Sequence, residues 1–249
     1  MKRLLMSMLV LYCLAAKGQE GVYLLPNYQS DENCCVILTL SDNRYIMEMN
    51  YMLSDDNSTL ITLSIGNYSI GNCQIKLIDE LFGFEMKLQY NSNLELTVVK
   101  GFYPMINSVF EFSQSVTERP FMYLYDNGIQ YVEKTKVKRV VKGARNEKRK
   151  HFSCGLYAWG TDYGESGENV MFYSLHLDST GYYQYRYRGG IILSEGRWRR
   201  RGNLLILQDV GMKKPIFAIV REGGIESLCL PGAYFDGIWP LWKYAVKYD

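Results

Sequence analysis

The sequence predicts an all-β protein of two repeated antiparallel β-meander units, small barrels or curved sheets, joined by a hairpin and a basic linker. Three observations predict it. Short runs alternate polar and apolar residues with a period of two. Turn-forming clusters punctuate those runs. A set of short motifs recurs at an offset of 130 to 137 residues.

The alternation is plainest where Tyr183, Tyr185 and Tyr187 are interleaved with Gln184, Arg186 and Arg188. Leu38 and Leu40 flank Thr39, Ile75 and Leu77 flank Lys76, and Leu205 and Leu207 flank Ile206. Such runs form strands with one face in a core. The punctuation is Ser41-Asp42-Asn43, Asp126-Asn127-Gly128, Asp178-Ser179-Thr180-Gly181, Gly202-Asn203 and Gly223-Gly224. Asn, Asp and Gly tolerate the positive φ angles of tight hairpins.

The repeat aligns Gly21-Val22-Tyr23 with Gly155-Leu156-Tyr157. Leu38-Thr39-Leu40, then Tyr45, aligns with Leu175-His176-Leu177, then Tyr182. Gly66-Asn67-Tyr68 aligns with Gly196-Arg197-Trp198, and in both copies an aspartate, Asp79 or Asp209, follows eleven residues beyond the aromatic. Phe84 and Met86 align with Phe217 and Ile219. This order of strands, with its Gly-x-Tyr starts, resembles the lipocalin-like, or calycin-like, β-meander units of bacterial secreted proteins. The resemblance implies barrel architecture more than any one function.

Lys2 and Arg3, the apolar run Leu4–Ala16 and the small residues Ala16 and Gly18 have the three parts of a secretory signal peptide. The expected organisation is a signal peptide over 1–18, a first unit over 19–103, a connecting hairpin and basic segment over 104–154, and a second unit over 155–249. The protein is expected to be exported, secreted or periplasmic, with no transmembrane segment after signal removal. Export permits disulfides. Adjacent Cys34 and Cys35 would point to opposite faces of a strand, and Cys154 and Cys229, near the two ends of the second copy, are the candidate pair.

The whole-chain charge of +2 hides an asymmetry. Residues 19–132 carry 5 basic and 14 acidic residues, and residues 133–249 carry 20 and 12. Segment 133–150 alone holds 9 basic and 2 acidic residues. Its cations Lys136, Lys138, Arg139, Lys142, Arg145, Lys148, Arg149 and Lys150 form a candidate patch for phosphate, acidic glycan or anionic lipid. The same charges also suit a solvated linker or a partner for the acidic first copy. Val137, Val140, Val141 and Ala144 have helical spacing, although valine and Gly143 leave a strand open.

A second candidate surface lies on the second copy. Tyr182, Arg186 and Arg188 share one strand face, and Arg197 and Arg199 share a face of the next. Guanidinium groups and tyrosine rings there would grip carboxylates or sulfates and stack on sugars. The alternative is a solvated face with arginines lying on neighbouring rings. For catalysis the candidates are His176 and Asp178, though aspartate at a turn has a conformational reason to be there. No nucleophile elbow, phosphate-cradling loop or zinc spacing occurs, so no metal or cofactor is expected. Asp79 and Asp209, with Gly66 and Gly196, mark either equivalent ligand sites or strand geometry.

The function expected from sequence is therefore a non-catalytic exported module binding a small molecule or glycan. The alternatives are an envelope or surface protein that binds other proteins and, third, a hydrolase-type enzyme. Nucleic acid is not an expected partner of an exported chain.

Overall fold

The computed structural model describes residues 20–54, 57–80, 83–91, 94–114, 134–163, 169–227 and 239–243. The signal peptide expected over 1–18 and the hairpin expected over 121–133 lie outside them. The first eight strands are β1 (Gly21–Leu25), β2 (Cys34–Ser41), β3 (Arg44–Ser54), β4 (Asn57–Gly71), β5 (Gln74–Asp79), β6 (Glu85–Tyr90), β7 (Leu96–Lys100) and β8 (Val109–Gln114). They pair in sequence order, antiparallel, and β8 returns to β1 to close a barrel. Helix α1 (Lys134–Asn146) follows. A second closed barrel comprises β9 (Gly155–Tyr163), β10 (Asn169–Leu177), β11 (Tyr182–Tyr187), β12 (Ile191–Arg201), β13 (Leu204–Asp209), β14 (Ile216–Arg221), β15 (Gly224–Ser227) and β16 (Trp239–Lys243). Closure removes the exposed edges that a meander would otherwise leave. The strand that closes the first barrel, β8, lies past residue 103, within the stretch expected to be connector.

The alternation sets what each strand buries. Tyr23, Leu38, Leu40, Tyr45, Met47 and Leu77 are buried in the first barrel. Tyr157, Leu175, Leu177, Tyr183, Tyr185 and Leu207 are buried in the second. Tyr173 stacks on Tyr185 at 5.8 Å between centroids and meets Tyr187 at 5.1 Å. Eight strands leave an interior that side chains of this size can fill.

The two barrels correspond strand for strand. Gly21 pairs with Leu40 and Gly155 with Leu177; Tyr23 pairs with Leu38 and Tyr157 with Leu175. From Gly66 through Gln89 the offset is a constant 130: Gly66 pairs with Asp79 and Gly196 with Asp209, while Leu77 pairs with Met86 and Leu207 with Ile216. Two details of the sequence alignment shift. Tyr45 pairs with Gly66 and Tyr183 with Gly196, so the counterpart of Tyr45 is Tyr183, not Tyr182. The β10–β11 turn is one residue longer than the β2–β3 turn, which moves the register by one. Met86 corresponds to Ile216, not Ile219, because the pairing across β13 and β14 fixes the register where sequence similarity is slight.

Gly66 and Gly196 repeat for a steric reason. A Cβ on Gly66 would lie 2.1 Å from the Ile78 carbonyl oxygen, and one on Gly196 would lie 2.1 Å from that of Gln208. Beside each glycine a buried chain of hydroxyls reaches a carboxylate. Tyr45 Oη lies 2.7 Å from Ser64 Oγ, which donates to Asp79 Oδ2 at 2.9 Å. Tyr183 Oη lies 2.8 Å from Ser194 Oγ, which donates to Asp209 Oδ2 at 2.6 Å. Burial is the largest cause of a raised Asp209 pKa, and its hydrogen bonds oppose the rise.

The barrels meet through corresponding ends. The Gln29 amide brackets Ile192, donating to its carbonyl at 2.5 Å and accepting from its N–H at 2.9 Å. The Tyr103 N–H donates to Asp209 Oδ1 at 3.0 Å across the seam. Tyr51 packs edge-on to Tyr187 at 6.1 Å, and Lys214 Nζ sits 2.6 Å from where a Gly83 Cβ would stand. These last two contacts join the β3–β4 end to the β11–β12 end and the β5–β6 turn to the β13–β14 turn.

Cys34 is buried and Cys35 half-buried, as opposite strand faces require. Cys154 carries a free thiol, so the structure does not bear out its pairing with Cys229; Cys229 itself lies outside the described residues.

Candidate functional site: a cationic groove at the rim of the second barrel

The basic segment is neither a loose linker nor a strand. Val140, Val141 and Ala144 of α1 pack against β13 and β14, and that burial outweighs the modest helix propensity of valine. The side chain of Val137 lies outside the described residues, as does that of Lys136. The helix ends over the β12–β13 turn. Gly202 there has φ +62°, and a Cβ on it would strike the Arg145 carbonyl oxygen at 2.5 Å.

Asn203, fully buried, ties the chain after the helix to this turn. Its N–H donates to Ala144 O at 2.8 Å. Its Oδ1 accepts from Lys150 N at 2.8 Å, and its Nδ2 donates to Lys148 O at 2.9 Å. Arg200 adds bonds from Nη2 to Lys150 O at 2.6 Å and from Nε to Gly202 O at 2.7 Å. Residues 147–150 are thereby fixed along the barrel rim with their basic side chains outward.

Beyond them the chain turns into the barrel mouth. Phe152 lies parallel to Tyr157 at 6.1 Å, edge-on to Trp198 at 5.6 Å and under the Arg200 guanidinium at 5.2 Å. Tyr157 Oη donates to Ser153 O at 2.6 Å. Across the opening, Arg221 Nε donates to Glu226 Oε2 at 2.7 Å, and Arg221 Nη1 lies 3.9 Å from Glu147 Oε2. Between these two walls lies a groove of about 680 Å³. Lys148, Lys150, His151 and Arg221 supply donors, Phe152 and Tyr157 an aromatic floor, and Ser153, Glu222, Gly223 and Gly224 the rest of the lining. A ligand with an anionic group and an apolar or sugar face has complementary chemistry here.

The residues expected to bind from sequence are partly gathered and partly dispersed. Lys138, Arg139, Lys142, Arg145, Lys148, Arg149 and Lys150 are exposed, and Lys148 and Lys150 line the groove. Tyr182 Oη donates to Glu195, Gln184 donates to the same carboxylate at 2.8 Å, and Arg186 donates to Gln184. Arg197 and Arg199 are exposed and edge a separate depression of about 370 Å³ with Trp198, Ile206, Gln208 and Pro215. Arg188 does not share their face. The strand ends at Tyr187, and a one-turn 3-10 helix carries Arg188 into the seam, where it is buried with its guanidinium 6.0 Å from the Tyr187 ring centre. Sequence reasoning missed Phe152, Tyr157 and Arg221 as site residues. Phe152, two residues past the basic run, is the available signal; Tyr157 reads only as part of the Gly-x-Tyr strand start, and nothing in the sequence marks Arg221.

Asp178 serves the β10–β11 turn. Its Oδ1 accepts from Thr180 N at 2.9 Å, Thr180 Oγ1 at 2.8 Å and Tyr182 N at 2.8 Å, and the Tyr182 bond leads the causes that lower its pKa. His176 is exposed on the strand beside it. The Ser–Asp pairs with their tyrosines are buried in both barrels and present no group to a ligand. Among the described residues no group of three or more His, Cys, Asp or Glu is placed to hold a metal ion. No helix among them is long and apolar enough to cross a membrane.

Comparison with protein-family models, curated proteins and solved structures finds no match.

Proposed function

We propose that this chain is an exported, non-catalytic binding module whose second barrel holds a small anionic molecule or acidic sugar in the rim groove. The observation that carries this is the union of Lys148, Lys150 and Arg221 with the paired rings of Phe152 and Tyr157 around one opening of about 680 Å³. The cations select a carboxylate, sulfate or phosphate, and the rings accept the apolar face of a sugar. The lipocalin-like resemblance supports the same use of a barrel. Large side chains occupy the interior here, so the ligand is held at the rim rather than on the axis.

Isothermal titration with glucuronate, and with glucose as the neutral control, tests it. Saturable binding of glucuronate alone is expected. Arg221→Ala and Phe152→Ala should each weaken it about tenfold or more with an unchanged circular-dichroism spectrum. Equal binding of the two sugars, or indifference to both substitutions, would refute the proposal.

A further inference from the structure

The framework residues of the two barrels repeat, but one outer row does not. Across β4, positions 67, 69 and 71 are Asn67, Ser69 and Gly71. At the corresponding positions of β12 stand Arg197, Arg199 and Arg201. All three arginines are exposed. Alternate residues of a strand stand about 6.6 Å apart, so the row spans roughly 13 Å.

The row does not stop at the strand end. Arg201 precedes Gly202, which abuts the Arg145 carbonyl. Arg149 is near enough to Arg200 to lower its pKa, second to burial. Lys148 and Lys150 follow and open onto the groove. The ion pairs among the described residues engage Arg44, Lys76, Lys100 and Arg221, and none of these row cations has one there. Beside Arg197 and Arg199, Ile206 and Pro215 contribute apolar surface to the 370 Å³ depression.

We infer that this row is a track for an extended acidic polysaccharide whose terminal or internal unit enters the rim groove. The inference rests on the groove reading above and names its ligand class. A chain of repeated anions is what a linear row of unpaired cations recognises, and several weak contacts along one chain multiply. The row lacks what other polyanions need. The apolar face of α1 is spent on β13 and β14, leaving none to enter a bilayer. Trp198 packs on Phe152, so no described aromatic on the row is free to stack on a base.

The test compares a heparin-derived decasaccharide with the disaccharide on the intact protein, against the triple variant Arg197→Asn, Arg199→Ser, Arg201→Gly, which installs the β4 residues. The decasaccharide should bind at least tenfold tighter than the disaccharide. The triple variant should lose that gain, keep the disaccharide affinity and show a shallower dependence of log affinity on log salt. Equal affinity for the two lengths, or an unchanged decasaccharide affinity and salt slope in the variant, would overturn the track. So would binding to phosphatidylserine vesicles as tight as to the decasaccharide. Decasaccharide binding that depends on the three arginines but not on Phe152 or Arg221 would leave the track standing and refute the groove.

Discussion

The two barrels share a skeleton and differ in charge. Tyr45, Ser64, Gly66 and Asp79 in the first do what Tyr183, Ser194, Gly196 and Asp209 do in the second, with the same pairing and the same buried hydrogen bonds. Outward positions diverge. Glu48 of β3 faces Thr62, and its counterpart Arg186 of β11 faces Ile192. The rim of the second barrel carries α1 and the basic segment, whereas the corresponding end of the first has Glu20 accepting from the Asp42 N–H at 2.8 Å. Interior geometry tolerates few substitutions, while a solvated face tolerates many. The framework therefore marks what the fold needs, and the divergent outward face is where the proposed binding of the second barrel would be written.

The largest effect should come from the shared glycines. Gly66→Ala and Gly196→Ala each force a Cβ against a neighbouring carbonyl, and each should cost about 3 kcal/mol in denaturant unfolding. Equal losses would sustain the correspondence; a loss in one barrel alone would break it.

A middling effect belongs to the first barrel alone. Burial raises the Glu48 carboxyl from 4.5 to about 7. The folded state then keeps a proton that the unfolded chain releases, so Glu48 favours folding most below pH 4.5, and that contribution is lost as pH rises through 7. Stability measured across this window should fall with rising pH, and Glu48→Gln should flatten the slope, gaining up to about 2 kcal/mol at pH 8. An unchanged slope would remove Glu48 as its source.

The smallest effect on stability, and the sharpest on function, should come from grafting. Asn67→Arg, Ser69→Arg and Gly71→Arg together should change stability by no more than about 0.5 kcal/mol, since all three sites are exposed and nothing lies within 4 Å of a Cβ at Gly71. The graft should give the first barrel a second decasaccharide site, read as a change in titration stoichiometry. No added site would mean that the row needs the neighbouring helix and rim.

Much of this fold was legible in the sequence because strands write their burial as alternation. Tyr183, Tyr185 and Tyr187 are buried as their spacing required. Register was less legible. The extra residue between Asp178 and Tyr182, and the weak likeness around Met86 and Ile216, are settled by ladder pairing rather than residue type. The closing strand β8 carries Phe110 in the core, but a single buried aromatic in a stretch with no repeat signal did not mark it as part of the barrel. The groove was half legible. The cations were conspicuous, but Phe152 and Tyr157 at the entry to β9 are far in sequence from Arg221 at the end of β14, and only folding around Asn203 brings them to one rim.

The most direct measurement is an amide chemical-shift titration of the intact protein with the heparin-derived disaccharide. Shifts are expected over Lys148–Ser153, Tyr157 and Arg221–Gly224, with Tyr23 and Asn91, the first-barrel counterparts of Tyr157 and Arg221, unmoved. Shifts at both barrel ends, or at neither, would contradict the claim that one skeleton carries a ligand groove in its second copy alone.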